Sequence, residues 1–385
     1  YTMIAWFRYI CLIVSLIITM PELLSAQRLV SQRQEDVEAG LLYNESVYIL
    51  SNYSCLSSNS PEKLSLDELL RKQIEGFYFY LKRDTETNVL LLRKPDGTFT
   101  PFSESLEAIK TALDADSTKV MTLFLDFYVE TELESSFKEI GLMEYVLEYD
   151  TKNGWPSLKD MLSSGKRLVV FEVQKHLNSP SWLHNMRDFV EHTDADWGNQ
   201  PEGVESFDER LKKNLSLFTG YKFLETSRGN SNDISALARQ TPYLIESFKR
   251  AWIRDGRVPN FILVDKYYAW LDVSLVTFRN FDIIYGAVTN NNELLNYVNW
   301  DGMSNYTTGK YCFPLEPGAE LMLSPISPGY RIEPATVYVS GTQRKAFAGD
   351  FKARPLRIDE DIEIYLPFEG DEKDGSSNHN LTVSR

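Results

Sequence analysis

Gln73-Ile-Glu-Gly-Phe-Tyr-Phe-Tyr-Leu81 is the stretch whose reading decides the fold. Gly76 reads as the φ > 0 residue that closes a preceding helix. Four aromatics follow at once, Phe77 and Phe79 on one face of a strand and Tyr78 and Tyr80 on the other. A helix running into a buried strand with polar groups at alternate positions is the unit of an α/β barrel. Upstream, Ser65 and Glu68 form a capping box that opens the helix, and Ser46-Val-Tyr-Ile-Leu50 reads as a short strand.

Downstream the alternation continues. Val89 to Leu92 is a strand ended by the turn Pro95-Asp-Gly97. Leu106, Ile109 and Leu113 form one apolar stripe of a helix starting near Ser103. Lys119-Val-Met-Thr-Leu-Phe-Leu-Asp-Phe-Tyr-Val129 is nearly continuous apolar, as a strand covered on both faces should be. Thr131 and Glu134 cap a helix whose core face is Leu133, Phe137 and Ile140. Trp155 to Met161 leads through a short helix to the strand Arg167-Leu-Val-Val-Phe171. Residues 174–213 read as a polar, acidic surface excursion around one helix. Ser216 to Phe223 and Asn260 to Asp265 are further strands, and Thr241 opens a helix carrying Leu244, Phe248 and Trp252. Leu271, Leu275 and Phe278 mark a last helix. Repeated βα units over this span fit a TIM-type (β/α) barrel better than an open sheet.

From Ala287 short alternating strands such as Glu320 to Leu323, Thr336 to Val339 and Asp361 to Leu366 replace the helices, which predicts a small β-rich domain. The expected organisation is therefore a signal peptide over 1–26, a linker over 27–45 and a barrel over 46–286. A β-rich domain over 287–370 and a disordered tail over 371–385 complete it.

The 385 residues carry a formal net charge of −15, which argues against nucleic-acid binding through a basic face and disfavours simple docking to anionic lipid. Arg8 precedes the apolar run Tyr9 to Met20, followed by small residues near Leu24-Ser-Ala-Gln27. The run is short for a membrane span and reads as a secretory signal, so the mature chain is expected to be exported and to have no transmembrane span. Cys11 lies inside that segment. Cys55 and Cys312 remain, as one disulfide or as two buried thiols. Asn44, Asn52, Asn214, Asn305 and Asn380 stand in N-glycosylation sequons.

The region from Val47 to Gly286 resembles the phosphatidylinositol-specific phospholipase C X-domain-like phosphodiesterases. The resemblance rests on Pro101-Phe-Ser-Glu-Ser-Leu, Val120-Met-Thr-Leu-Phe-Leu-Asp-Phe-Tyr-Val129 and Gly154-Trp-Pro-Ser-Leu-Lys-Asp-Met161. It continues in Ser164-Gly-Lys-Arg-Leu-Val-Val-Phe171 and Arg257-Val-Pro-Asn-Phe-Ile-Leu-Val-Asp265. It implies a distorted TIM-like barrel with its site at the strand ends. It also implies a two-histidine mechanism, in which one histidine is base to the substrate hydroxyl and the other protonates the leaving oxygen. Carboxylates, or calcium in one branch, manage the phosphate charge.

Carried over residue by residue, that chemistry is missing. Ser51 stands at the first histidine position, with Asn52 retained beside it. Tyr78 and Tyr80 occupy the places of the strand's acids, and Arg93 or Lys94 the place of the second histidine. Tyr221-Lys222-Phe223 replaces a later Asn-His-Phe stretch. Asp126 keeps its counterpart, and Asp265 remains at the end of its strand. Ser51, Arg93 and Lys94 are thus degenerate catalytic positions, and Asn52, Tyr78, Tyr80, Asp126, Lys222 and Asp265 are the expected pocket residues. Loss of one catalytic histidine should cost roughly 10²–10⁴ in rate, and loss of both should leave little. His176, His184, His192 and His379 do not replace them. His184, Asp188 and His192 would share one face of a helix, with Asp194 and Asp196 beyond. A solvated polar face is the commoner meaning of that pattern, and no metal is expected.

The reading is a secreted pseudoenzyme with a binding or scaffold role, needing no cofactor, whose partner is an anionic small molecule, lipid headgroup or glycan. The competing reading is an active phosphodiesterase on a phospholipid or glycerophosphodiester, with a site rewired around Lys94, Lys222 and Asp126 and calcium as its cofactor.

Overall fold

The computed structural model describes residues 34–55, 65–72, 74–127, 132–150, 152–174, 179–193, 217–221, 245, 248–250, 252–253, 256–264, 277–303, 306–341 and 343–357. The expected signal peptide, Lys222, Asp265, His176, the strand at 361–366 and the tail lie outside them. The chain divides into two units, one of Tyr1–Phe248 with Val258–Asn280, the other of Lys249–Arg257 with Phe281–Arg385. The strand Asp282–Asn290 belongs to the second unit, so the change to β structure starts upstream of Ala287.

The first unit is mixed α/β. Its strands are β1 Tyr48–Ser51, β2 Gly76–Arg83, β3 Leu90–Arg93, β4 Phe99–Pro101, β5 Met121–Asp126, β6 Leu168–Glu172, β7 Leu183–Asn185, β8 Val190–Thr193, β9 Leu217–Tyr221 and β10 Phe261–Val264. Eight of them run in the order β7-β6-β5-β2-β1-β10-β9-β8, each parallel to its neighbour. β7 and β8 are the two ends of that order. No pairing between them occurs among the described residues, whose hydrogen bonds show a parallel sheet. β3 and β4 extend the far end of β2 as an antiparallel hairpin.

Local chemistry explains the helices. Ser65 Oγ accepts from Glu68 N at 3.3 Å and the Glu68 carboxylate accepts from Ser65 N at 2.7 Å, which starts Leu66–Arg71 as the capping box requires. Leu106, Ile109 and Leu113 are all buried along the helix Phe102–Ala115. Its end is tied by Arg167, whose guanidinium donates to Leu113 O at 2.9 Å, Asp116 O at 2.6 Å and Lys119 O at 3.0 Å. Ser157 caps the helix Leu158–Ser164, which Gly165 closes at φ 74°.

Gly76 does something other than the sequence reading assigned to it. The helix ends at Arg71 with Lys72 as its cap, and Gly76 opens β2 without a positive φ. A Cβ there would fall on Thr122 O of the neighbouring strand, well inside van der Waals contact, and touch Leu50. Close approach of two backbones, and not helix closure, is what requires glycine.

Alternation along β2 holds. Phe77 and Phe79 are fully buried and stack at 5.3 Å, with Phe79 against Phe102 of the helix, so this is the helix face of the sheet. Register places Tyr78, Phe124, Phe171 and His184 on the opposite face. Phe124, Phe171 and Phe261 pack there with Trp155, Tyr43 and Tyr48 into an aromatic core.

Residues 183–193 correct two expectations. Instead of one helix within a surface excursion, they form β7, a four-residue helix Met186–Phe189, and β8. His184, Asp188 and His192 therefore do not share a helix face. His184 is buried between Trp155, Phe171, Phe189 and Tyr149, and its Nε2–H donates to Leu147 O at 3.2 Å.

Desolvation lowers the pKa of His184, outweighing the favourable Leu147 carbonyl and Glu148 charge. The unfolded chain then binds the proton more readily than the folded one. Stability should fall as pH drops below the ordinary histidine value of about 6.5 towards the lower folded value, by at most about 1.4 kcal/mol per pH unit. Urea midpoints at pH 7.5 and 5.5 check this, and His184→Phe should flatten the difference. An equal pH dependence in that variant would assign the loss to other groups.

The second unit is β-rich. Its largest sheet pairs Asp282–Asn290 antiparallel with Lys310–Leu315 and parallel with Lys345–Pro355, around a core of Trp300, Tyr311, Phe313 and Phe351. Cys312 is buried, and its Sγ accepts from Trp252 Nε1 at 3.0 Å. Among the described residues no helix is long and apolar enough to cross a membrane.

Candidate functional site

The C-terminal ends of parallel strands are where βα units place their chemistry, and the polar residues of this sheet gather there. Tyr78 and Asp126 lie on the non-helical face of adjacent strands, and the Tyr78 hydroxyl donates to Asp126 Oδ2 at 2.9 Å. Tyr80 is the direct register partner of Asp126. The other carboxylate oxygen, Oδ1, accepts from Gln174 Nε2 at 2.9 Å. Asp126 is half-buried, with both oxygens held by neutral donors.

The hairpin brings a cation to the same face. Lys82 pairs with Leu91, and Arg93 is two residues beyond it, so Arg93 shares the face of Tyr78 and Tyr80. Arg93 is exposed and Lys94 half-buried. Ser54 fixes this geometry. Its hydroxyl accepts from Tyr80 N at 2.7 Å and donates to Arg93 O at 3.0 Å, bridging β2 to β3 just beyond their last paired residues.

Ser51 is not in this group. It is in register with Phe77 and so lies on the helix face, buried. Asn52 follows it and is 2% exposed, which leaves no room for a glycan on that sequon in the folded chain. Tyr53 packs edge-on against Phe77 and Phe79, and burial, then Asp96 and Asp67, push its phenol up to about 12. The loop after β1, where the first catalytic histidine was expected to open, is thus absorbed into packing. Lys222 and Asp265 lie outside the described residues.

Three polar residues, Ser54, Gln174 and Glu172, were missed by the sequence reading. Gln174 was assigned to the surface excursion, although its place just past a buried strand is itself the signal for a strand-end site. Glu172, almost fully buried, accepts from Ser179 Oγ at 2.6 Å and Asn185 Nδ2 at 3.2 Å. It is in register with Leu125, however, and so faces away from Asp126.

This donor set does not fit calcium, which takes six to eight oxygen ligands. Asp126 is a single carboxylate with both oxygens engaged, and Glu172 stands on the other face. Among the described residues no group of three or more His, Cys, Asp or Glu could hold a metal. Phenol, amide and guanidinium supply hydrogen bonds and charge, while proton transfer near neutral pH calls for a group such as an available histidine. His184 is locked in the aromatic core instead.

Residues 92–201 match the PI-PLC X family model. Over those residues the chain is a divergent relative of that family. The match begins inside β3 and takes in β5, β6 and β7 with Asp126 and Gln174, less than a third of the chain. No curated protein sequence matches. Among solved structures, the phosphatidylinositol-specific phospholipase C of Listeria monocytogenes is 13% identical with a TM-score of 0.40, covering 64% of this chain and 98% of that one. A Staphylococcus aureus phosphatidylinositol-specific phospholipase C is 12% identical with a TM-score of 0.41, covering 64% and 95%. This PI-PLC X relative thus has tyrosines on the strand beside Asp126, and an arginine on the hairpin face that adjoins them.

Proposed function

We propose that this PI-PLC X relative is an exported binding protein that has lost phosphodiesterase activity, its first unit a distorted (β/α) barrel and its second a β-rich domain. One observation carries the reading. The retained acid, Asp126, is tied to Tyr78 and Gln174 and has no histidine beside it among the described residues, so the site can recognise a ligand but lacks the acid and base of the family's mechanism. The apolar run after Arg8 supports export. Arg93, exposed on the face of Tyr80 and Asp126, supports an anionic group as the recognised feature, with Tyr78, Tyr80 and Gln174 placed for hydroxyls.

Calorimetric titration with inositol 1-phosphate, and flotation with phosphatidylinositol vesicles, tests this. Arg93→Gln should weaken binding at least about tenfold, the loss of one charge-assisted hydrogen bond. Binding that Arg93→Gln leaves unchanged, or no binding of either probe, would overturn the assignment.

A further inference from the structure

The second unit carries an uncharged aromatic platform that the reading above does not use. Val298–Trp300, Tyr306–Thr307 and Pro325–Ile326 form a three-stranded sheet. One face is core: Val298, Trp300 and Thr307 are buried, and Trp300 Nε1 donates to Thr307 Oγ1 at 2.9 Å. On the other face Asn299 stands between its register partners Tyr306 and Ile326, and Tyr297 joins it two residues earlier along the chain. Tyr297, Tyr306 and Ile326 are 40%, 42% and 53% exposed.

The platform is held in place. The two tyrosine rings lie 5.0 Å apart at 32°. The Tyr297 hydroxyl donates to Asn299 Oδ1 at 2.9 Å, and the Ser327 hydroxyl donates to Tyr297 O at 2.8 Å. Ordering these rings therefore adds little to the cost of binding. With Oδ1 engaged, Asn299 keeps its amide nitrogen as a donor, and the Tyr297 phenol oxygen can accept.

Charge selects the occupant. A quarter of the chain is charged and the net charge is −15, yet none of these four neighbouring solvent-facing residues is charged. Three exposed apolar side chains gathered around an amide on one sheet face offer a contact surface, and a face without charge suits a neutral partner. A sugar ring with equatorial hydroxyls has this chemistry, with apolar C–H faces that a phenol ring covers and rim hydroxyls that an amide and phenols meet. We propose that Tyr297, Tyr306, Asn299 and Ile326 bind the face of a neutral pyranose within a glycan chain. The site belongs to the second unit and does not depend on what the Asp126 site recognises.

Native affinity electrophoresis of the full chain in gels containing hydroxyethylcellulose or glycol chitin tests the proposal. The chain should be retarded by at least one polymer. Tyr297→Ala and Tyr306→Ala should each weaken retardation roughly two- to tenfold, and the double variant should abolish it. Tyr338→Ala, on a separate two-stranded sheet and 76% exposed, should change nothing. Unaltered thermal melting of the variants would show that the fold is intact. No retardation by either polymer, or undiminished retardation of the double variant, overturns the proposal. Self-association that the double variant loses would place a second copy of the chain on this face and overturn it as well.

Discussion

Gly76→Ala is expected to destabilise the first unit by about 3 kcal/mol or more, at the upper end of what overpacking costs. The added methyl would meet Thr122 O, a backbone atom, together with Leu50. Neither side can yield easily. Thr122 N donates to Glu75 O at 2.9 Å, Glu75 N donates to Ile49 O at 2.8 Å, and three parallel strands are thereby fixed around one Cα. Loss of soluble chain, or a large drop in urea midpoint with the slope unchanged, is the expected result. A midpoint equal to that of the parent would show that the strands do not approach this closely.

Arg279→Met should be comparably severe. Arg279 Nη2 lies 3.2 Å from Glu75 Oε1, and both side chains are almost completely buried. Glu75 Oε2 also accepts from Ile49 N at 3.3 Å. Removing the guanidinium takes the ion-pair partner from a buried carboxylate, a change that typically costs about 3–5 kcal/mol. The double variant Glu75→Gln with Arg279→Met keeps an acceptor for Ile49 N and removes the buried charge, so it should recover a good part of the loss. Denaturant melts of the two single variants and the double close that cycle. A double variant no better than the simple sum of the singles would show that the two charges do not interact.

Much of the first unit was legible because its strands are written as apolar runs. Lys119 to Val129 and Arg167 to Phe171 read as buried strands, and β5 (Met121–Asp126) and β6 (Leu168–Glu172) lie there. The Ser65–Glu68 box read correctly because capping is decided within four residues. Gly76 was misassigned because helix closure and close backbone approach call for the same residue, and only the neighbouring strand distinguishes them. β7 and β8 were missed because strands of three and four residues, split by a single helical turn, carry too little periodicity. The Glu75–Arg279 pair joins residues from opposite ends of the unit, and no local pattern announces it.

At the site the absence of histidine from both family positions was legible in the sequence, while the pairing of Tyr78 and Tyr80 with Asp126 across neighbouring strands was not. The faces of Ser51 and Arg93 were not legible either. Register alone shows that Ser51 looks away from Asp126 and that Arg93 shares its face. Gln174 and Ser54, the residues that hold Asp126 and the hairpin, were hidden because an amide or hydroxyl just past a strand looks like any loop residue.

The central claim is that this PI-PLC X relative binds without hydrolysing. Assay of the purified chain on phosphatidylinositol and glycerophosphoinositol, with and without calcium, tests it most directly. The expected result is no turnover above background in either condition. Turnover that Asp126→Ala abolishes would contradict the account.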